Sequence, residues 1–411
     1  MNVCSDTVVA QATLGAHSIE SYEPLIGAAA VERILNKSKS LADRRVSHIS
    51  STFYGGGVAE ILTPLTLLTN AVGINTDWRL IQGTPAFFLC TKMLHNALQG
   101  GRFSFSREQR AVYEQVAEEN SMRLHLEDSN VIIVHDPQPL PLISQFVARK
   151  MPWIWQCHID LSKPDPKAWA YLKPFVEQYD LAIFSLPEYG QQLQTSQRFV
   201  TPAIDPFSAK NCELSADEAL EILEQHDIPT DLPIVAQISR FDRWKDPAGV
   251  IEAFRLAQLE VDCNLVLLGS PAVDDPESSL VLESLESSVD DRVHILTVDN
   301  PLLVNALQRT AAVVLQKSLR EGFGLTVTEA MWKGAAVIGG NVGGIRHQID
   351  DGETGFLVNS VQEAAERIVR LLRDQELRRR LGEQARERVR ERYLLSHLLE
   401  EWLDTIAQVS P

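Results

Sequence analysis

The chain has 411 residues, of which 45% are hydrophobic and 23% are charged, so it is long enough to bury two separate cores. Its 55 acidic side chains outnumber the 38 basic ones, and the formal net charge is -17. This balance argues against a general nucleic-acid-binding protein, because few bases remain to neutralise phosphates.

Five cysteines are scattered along the chain without a Cys-x-x-Cys pair, so neither a disulfide framework nor a zinc site is indicated. The amino terminus lacks the basic start and the apolar block of a signal peptide. No uninterrupted apolar run reaches the length of about 18 residues that a membrane-spanning helix needs. We therefore expect a soluble, cytoplasmic protein that does not insert into membranes.

The first half of the chain contains four apolar segments that predict strands. They span residues 45–50, 130–135, 153–157 and 181–184. Between the first two, apolar residues recur at helical spacing from Val58 to Val72, which predicts a helix with one broad apolar face. Pro64 lies inside this pattern, so we expect the helix to kink or to begin late there.

A domain boundary is expected near residues 205 and 206. Prolines between Thr201 and Ser208 disfavour a helix, and Ser215 then provides a helix-capping side chain. The predicted domains therefore span residues 1–205 and 206–390. The last segment, 391–411, contains a Leu-rich helix that we expect to pack towards the first domain.

Six short apolar runs in the second half alternate with helical segments. They span residues 233–239, 264–269, 292–297, 311–316, 335–339 and 355–358. Their apolar residues are mostly continuous rather than alternating, which is typical of parallel strands covered on both faces. The sequence therefore predicts a doubly wound α/β domain here and a similar, less regular one in the first half.

In one segment of the second half, Glu321, Gly322 and Gly324 lie in a loop after a predicted strand. A helix is predicted from about Thr326, and Glu329 lies in it. A Gly-rich loop can fold back, so that the two carboxylates reach opposite ends of one ligand. The start of the following helix also offers unpaired amides to a phosphate. The alternative is a solvated loop acid followed by a first-turn helix acid, and local physics leaves both interpretations open.

Two bases, Arg240 and Lys245, follow directly on the predicted strand 233–239. Ligands of open α/β sheets bind at the carboxyl ends of the strands, so these cations are placed to neutralise a diphosphate. The alternative is a loop with ordinary solvated bases, and for the neighbouring Arg243 we favour that interpretation.

Three loops of the first half also follow predicted strands. Residues 55–57 are glycines that let the backbone approach a ligand, although they lack the G-x-G-x-x-G spacing of a dinucleotide site. His135–Pro139 and Cys157–Asp160 follow two other strands. A single histidine beside a strand is more often structural, but two His-Asp loops at adjacent strand ends favour a binding site. No metal-binding cluster, nucleophile elbow or Walker loop is present, so we expect no tightly bound catalytic metal.

The spaced glutamates Glu321 and Glu329, with Arg240 and Lys245 before them and Asn341–Ile345 after them, resemble the retaining glycosyltransferases of the GT-B fold. Within these enzymes the resemblance is to the glycogen-synthase-like and sucrose-synthase-like group. It implies two Rossmann-like, doubly wound domains that face a deep cleft. The first domain would then be the acceptor side and the second would bind a nucleotide sugar.

Four segments of the first half resemble the trehalose-forming branch of this group, which contains the trehalose glycosyltransferring synthase and the trehalose phosphorylases. They are Ser51–Glu60, Gly73–Arg79, Val134–Pro139 and Cys157–Ser162. Gln156 departs from the pattern, since that branch is expected to have a basic residue before Cys157.

The resemblance implies a role for each candidate residue. The residues implied in catalysis are His158, Asp136, Glu321, Arg240 and Lys245. Those implied in donor binding are Gly56, Gly57, Arg240, Lys245, Gly322, Phe323, Gly324, Leu325 and Glu329. Those implied in acceptor binding are Asp136, Gln138, His158 and Asp160. No residue is assigned to a metal.

The activity implied by the resemblance is the transfer of α-glucose from UDP-, ADP- or GDP-glucose to glucose, forming the α,α-1,1 linkage of trehalose with retention at the anomeric carbon. We expect no tightly bound cofactor, small-molecule sugars as partners, no nucleic acid, and a possible homodimer. The alternatives are a trehalose phosphorylase that uses glucose 1-phosphate, a non-hydrolysing nucleotide-sugar epimerase, and a non-catalytic nucleotide-sugar sensor.

Overall fold

A computed structural model describes residues 17–53, 56–269 and 276–410 of the protein. It divides into two compact units. One contains Ala203–Leu394, and the other contains the described residues up to Pro202 together with those from Leu395 onward. Each unit has a six-stranded, wholly parallel sheet, which confirms the predicted pair of Rossmann-like α/β domains. The division lies at Pro202 and Ala203, a few residues before the expected 205 and 206.

The amino-terminal unit is built on strands β1 to β6 in the order β2-β1-β3-β4-β5-β6. The strands are β1 (Arg45–Ser50), β2 (Asn75–Leu80), β3 (Val131–His135), β4 (Trp153–Cys157), β5 (Leu181–Phe184) and β6 (Ser196–Phe199). Its α-helices are Glu23–Ile26, Ala28–Lys39, Gly57–Ala71, Pro85–Leu98, Arg107–Ser121, Pro166–Val176 and Leu395–Val409. Short 3-10 helices span Ile19–Tyr22, Leu140–Gln145 and Pro187–Tyr189.

Strands β2 and β6 are absent from the sequence-based prediction. Both lie at an edge of the sheet, where a strand pairs on one side only. Their sequences, Asn-Thr-Asp-Trp-Arg-Leu and Ser-Gln-Arg-Phe, are therefore more polar and more exposed than the buried run of β3. The continuous apolar pattern identifies central parallel strands and misses these edges.

The helix Gly57–Ala71 begins well before Pro64, so of the two expectations for this proline, a kink or a late start, the late start is wrong. Pro64 removes one backbone donor from the helix interior. Leu62, Leu65 and Leu68 are nevertheless buried on the apolar face. Their burial stabilises the helix by more than the missing hydrogen bond costs.

The helix Leu395–Val409 packs against Ala28–Lys39 and Gly57–Ala71 within the amino-terminal unit. Its buried face is apolar and includes Leu399 and Trp402. A charged rim lies beside this face, where Arg33 holds the Glu400 carboxylate through two hydrogen bonds of 2.6 and 2.9 Å. In the same rim Lys37 contacts Glu400 at 2.9 Å and Asp404 at 2.7 Å. The final helix is therefore part of the first sheet's unit, although the chain reaches it last.

We expect Glu400→Gln to lower the free energy of unfolding at pH 7 by about 1 kcal/mol, as for other well-aligned ion pairs near a surface. The Arg33 hydrogen bonds, with Lys37 in support, lower the pKa of Glu400 from 4.5 to about 2. Because the folded-state pKa is depressed, this stabilisation is complete above pH 4.5 and is lost as the pH falls towards 2. Urea denaturation of both proteins at several pH values measures the difference. The exposed Glu32→Gln serves as the control, and an equal effect of both substitutions would contradict the expectation.

The carboxyl-terminal unit is built on strands β7 to β12 in the order β12-β11-β10-β7-β8-β9. They are β7 (Ile234–Ile238), β8 (Asn264–Gly269), β9 (Val293–Thr297), β10 (Val313–Gln316), β11 (Val337–Gly340) and β12 (Phe356–Val358). Its α-helices are Ala216–Glu224, Pro247–Gln258, Pro276–Leu285, Pro301–Thr310, Leu325–Trp332, Ile345–Gln348, Val361–Arg373 and Gln375–Arg392. Two 3-10 helices span Arg243–Lys245 and Glu286–Ser288. None of the helices described here or in the other unit is both long and apolar enough to cross a membrane.

The strand order creates one topological switch point in each sheet. In the carboxyl-terminal unit the chain runs outward from β7 to β8 and β9 on one side, and from β10 to β11 and β12 on the other. In the amino-terminal unit the corresponding neighbours are β1 and β3. Loops that leave such neighbouring strands diverge and open a crevice at the carboxyl edge of the sheet, where ligands of this architecture bind. The candidate site residues follow β7, β10, β1, β3 and β4.

Candidate functional site

In the carboxyl-terminal unit the loops after β7 and β10 meet through charged side chains. Lys245, in the 3-10 helix after β7, forms an ion pair with Glu321 from the loop after β10. The same oxygen of Glu321 accepts a hydrogen bond of 3.3 Å from the Ser318 hydroxyl. Arg240 is more exposed, with 44% of its side-chain surface accessible and Nη2 3.8 Å from Asp242 Oδ2. The structure thus brings Lys245 and Glu321 into contact and leaves Arg240 directed largely to solvent.

The backbone around Lys245 is held by side chains that are absent from the sequence-based prediction. Asp242 accepts hydrogen bonds from the amides of Trp244 and Lys245 at 2.9 and 3.1 Å. Asp246 then caps the helix Pro247–Gln258 from a left-handed conformation with φ 52° and forms an ion pair with Lys317. An Asp-Pro pair at a helix start is a readable capping signal, but the Lys317 contact depends on strand order.

Glycines let the loops after β10 and β11 touch backbone to backbone. Gly324 precedes the helix Leu325–Trp332 with φ 89° and ψ 62°, in the left-handed region. Gly344 donates an amide hydrogen bond of 3.2 Å to Gly322 O. A Cβ at Gly344 would lie 2.4 Å from Phe323 Cα, so no larger residue fits without moving the loop. The loop that presents Glu321 is therefore fixed from two sides.

Gln348 is a further supporting residue, and it is absent from the sequence-based prediction. Its fully buried amide donates to Phe323 O at 2.6 Å, and its carbonyl accepts from the Thr328 hydroxyl at 2.6 Å. The side chain thereby ties the glycine loop to the helix that follows it. The amides of Leu325 and Thr326 open that helix, and no intramolecular acceptor is found for them among the described residues. Such helix-start amides suit an anionic group.

Glu329 has surroundings different from those of Glu321. It is only 4% exposed. Its carboxylate lies 3.9 Å from Lys210 Nζ. The buried Lys333 ammonium donates to Glu329 O at 3.1 Å and to Asn211 Oδ1 at 2.7 Å. The two glutamates of the motif therefore belong to two separate polar clusters of the same unit.

We expect Lys333→Met to change how stability depends on pH. Burial lowers the pKa of Lys333 from 10.5 to about 7, against the opposing influence of the nearby Glu329 charge. The folded protein then binds this proton less tightly than the unfolded chain, so this group makes stability rise between pH 7 and 10.5. The free energy of unfolding of the wild type minus that of Lys333→Met should increase by up to about 1.4 kcal/mol per pH unit in this window. Denaturant titrations at successive pH values measure it, and a constant difference would contradict it.

In the amino-terminal unit the loop after β3 turns through Asp136, which has φ 63° although it is not a glycine. Its amide donates to Gln156 O at 2.8 Å, and its Oδ1 accepts from the His158 amide at 2.7 Å. Trp155 Nε1 also donates to Asp136 O at 2.9 Å. Burial raises the pKa of the Asp136 carboxyl. The structure thus brings Asp136 and His158 together at the ends of adjacent strands.

His158 continues into two histidines of the sheet. His135 Nδ1 lies 3.1 Å from His158 Nε2, and His135 Nε2 lies 2.9 Å from His48 Nδ1. Burial lowers the pKa of all three imidazoles, to about 4 for His48. His135 enters the sequence-based prediction of the site only as part of its loop, and His48 is absent from it.

The remaining predicted residues of this unit have varied surroundings. Gly56 has φ 103° at the start of the helix that begins with Gly57, and Gly55 lies outside the described residues. Gln138 is half-buried beside the Asp136 turn. Asp160 is buried and accepts from the Ser162 amide at 2.8 Å, which is a local turn contact. Within the described ranges no group of three or more His, Cys, Asp or Glu side chains could hold a metal ion.

Comparisons with known proteins identify both halves of the chain. Residues 48–191 match the family described as "Trehalose synthase, N-terminal domain", and residues 219–388 match "Glycosyl transferases group 1". HepE of Anabaena, solved in complex with UDP-glucose, superposes with a TM-score of 0.69 at 16% identity, covering 89% of this chain and 99% of that one. The two Rossmann-like units and these matches define a glycosyltransferase of the GT-B fold.

Two relatives narrow this class. A trehalose synthase of Pyrococcus horikoshii is 43% identical over 95% of this chain and 96% of its own length. A trehalose phosphorylase of Pleurotus pulmonarius is 26% identical over 90% of this chain and 58% of its own length. The chain belongs to the trehalose synthase family, and the predicted trehalose-forming branch is confirmed.

Proposed function

We propose that the enzyme transfers α-glucose from a nucleoside diphosphate glucose to glucose and forms trehalose. The observation that carries the donor assignment is the contact between Lys245 and Glu321 at the switch point beside β7. A cation for a diphosphate and a carboxylate for sugar hydroxyls are adjacent there, as a nucleotide sugar requires. The trehalose product is supported by the 43% identity with a trehalose synthase over nearly the whole chain.

In this proposal Arg240 and Lys245 bind the diphosphate, and the amides of Leu325 and Thr326 assist them. Glu321 accepts hydrogen bonds from the transferred glucose. Glu329 accepts hydrogen bonds from the ribose hydroxyls of the nucleotide. The two cations and the helix-start amides supply the charge stabilisation that a bound divalent ion would otherwise give, so the reaction proceeds without a catalytic metal.

The transfer retains the anomeric configuration by attack on the same face. The bond between the anomeric carbon and the diphosphate oxygen breaks through an oxocarbenium-like state. The acceptor hydroxyl forms the new C–O bond, and its proton passes to the departing diphosphate oxygen. No covalent glycosyl enzyme is needed, and the protein contributes positioning and charge stabilisation. His158 contacts the transferred sugar, and Asp136 orients sugar hydroxyls.

Incubation of the purified protein with glucose and UDP-, ADP- or GDP-glucose tests the proposal. The expected products are the nucleoside diphosphate and a non-reducing disaccharide, with both anomeric carbons in the α configuration by proton NMR. A thermal-shift series with the same donors names the preferred nucleobase, since a tight ligand raises the melting temperature by mass action. Absence of sugar-dependent diphosphate release with all three donors would overturn the assignment.

A phosphorylase is the second candidate, and the match to a trehalose phosphorylase is the observation that favours it. Arg240 and Lys245 would bind the phosphate of glucose 1-phosphate equally well. Incubation with trehalose and inorganic phosphate distinguishes the two reactions. Release of glucose 1-phosphate without any nucleotide would select the phosphorylase.

A further inference from the structure

Three histidines from neighbouring strands form a continuous row in the amino-terminal unit. His48 lies on β1, His135 ends β3 and His158 follows β4. Facing nitrogens are 2.9 and 3.1 Å apart, and the ring centroids are 5.2 and 5.4 Å apart with interplanar angles of 19° and 26°. Both contacts therefore have the separation of hydrogen bonds. The proposed function uses only His158 of this row.

The surroundings hold the inner rings in place. His48 and His135 are 3% and 1% exposed. His48 also packs edge-on against Trp402 of the final helix, with ring centroids 5.9 Å apart at 78°. The strand register also fixes the backbone, because His48 lies opposite Ile133 and His135 lies opposite Gln156. The inner rings thus have little freedom to exchange their partners.

In a row of hydrogen-bonded neutral imidazoles, the nitrogens that carry the protons depend on one another. Each neutral ring has one N–H donor and one acceptor nitrogen. His135 faces a histidine through each of its nitrogens, so it donates to one neighbour and accepts from the other. Only two proton arrangements are possible, and each one sets the tautomer of His158. Burial lowers the pKa of all three rings, which favours this neutral state.

The charges at the two ends of the row differ. Asp77, on the His48 side, is already paired with Arg79 at 2.9 Å and with Arg45 at 3.1 Å. Asp136, at the other end, accepts a hydrogen bond of 2.7 Å from the His158 amide, so its carboxylate lies beside the backbone of His158, to which Nδ1 is the nearer ring nitrogen. A carboxylate beside His158 favours the arrangement that places a proton on the His158 end, at Nδ1. His48 Nδ1 then donates to His135, and His135 Nδ1 donates to His158 Nε2.

We propose that His135 and His48 are positioning residues that hold His158 as the Nδ1-protonated tautomer, so that Nδ1–H donates to an oxygen of the bound sugar. The inference rests on the proposed function for the sugar contact, whereas the tautomer is a property of the free protein. A fixed donor needs no rearrangement during the reaction. An imidazole that is free to change its tautomer would offer the sugar a donor at Nδ1 in one form and a lone pair in the other.

The tautomer is measured directly by long-range ¹H–¹⁵N correlation spectra of protein labelled with ¹⁵N-histidine. The chain has ten histidines, and a His158→Asn spectrum identifies the His158 signals. We expect a protonated Nδ1 and an unprotonated Nε2 in the wild type. His135→Phe should convert His158 to a mixture of tautomers or to the Nε2-protonated form. A wild-type His158 that is protonated at Nε2, or a tautomer unchanged by His135→Phe, would overturn the proposal.

Kinetics with a conservative variant separate positioning from mere packing. His135→Gln restores one donor and one acceptor, so it should keep the Nδ1–H form of His158 and at least half of the wild-type kcat. His135→Phe fills the space without either group, and its kcat should fall about tenfold while the KM for the donor stays within about twofold. Equal kcat values for the two variants, with similar melting temperatures, would overturn the proposal. If the wild type makes no disaccharide but shows the expected tautomers, the proposed function fails and the tautomer assignment stands.

Discussion

Lys245→Ala is expected to lower kcat for glucosyl transfer at least about tenfold, because it removes a cation whose attraction to the diphosphate grows as the bond breaks. Arg240→Ala should have an effect of the same order. Initial rates of diphosphate release measure both. Arg243→Ala is the matched control, since Arg243 lies in the same 3-10 helix but is exposed and directed over the Trp244 ring. Near-wild-type rates for Lys245→Ala and Arg240→Ala would show that the diphosphate binds elsewhere.

The contact between Lys245 and Glu321 makes this prediction sharper. Each side chain positions the other, so the decreases in kcat caused by Lys245→Ala and by Glu321→Ala should not be independent in the double variant. We expect the decrease in kcat of the double variant to be smaller than the product of the two single decreases. Strictly multiplicative losses would contradict a shared role at one end of the donor.

Glu329→Ala is expected to raise the dissociation constant of the nucleotide sugar about tenfold or more, because hydrogen bonds to a charged acceptor are worth about 1.5–3 kcal/mol. The effect should be specific to the ribose. A 2′-deoxyribose donor should bind the wild type more weakly than the normal donor, whereas the variant should bind both alike. Isothermal titration calorimetry measures all four affinities.

Controls for this prediction concern folding. Glu329 lies beside the buried Lys333 ammonium, so its removal also costs stability, and the melting temperature of the variant must be above the assay temperature. Glu366→Ala, at an exposed glutamate of the same unit, should leave donor affinity unchanged. If the variant distinguishes the two donors as strongly as the wild type does, Glu329 does not contact the 2′-hydroxyl.

Much of the fold follows from apolar periodicity. The predicted strands 45–50, 153–157, 181–184 and 264–269 coincide with observed strands, because central parallel strands are buried on both faces. The edge strands β2 and β6 were missed, since a strand with one free edge and one solvated face can be polar. The late start considered for the helix Gly57–Ala71 does not occur, because the packing of its leucines is a tertiary effect that the proline rule does not include.

Part of the candidate site was predictable as well, because buried parallel strands can be recognised from their apolar runs. Residues directly after a buried strand are bound to lie at the carboxyl edge of the sheet, so the loops of Arg240 and Glu321 could be chosen from sequence. The contact of Lys245 with Glu321 could not, because it requires β10 to be the neighbour of β7. The same holds for Gln348 and for His48, whose roles depend on hydrogen bonds across distant segments. Spacing along the chain contains no information on those pairs.

The final helix has a consequence for how the protein is made. The chain completes Ala203–Leu394 before Leu395–Val409 leaves the ribosome, yet that helix supplies Leu399 and Trp402 to the unit of the first sheet. Domains usually fold in order of synthesis, from the amino terminus. Here the first unit to begin is the last to be finished. During synthesis, the apolar surface that Leu395–Val409 covers therefore stays exposed until the second unit has left the ribosome.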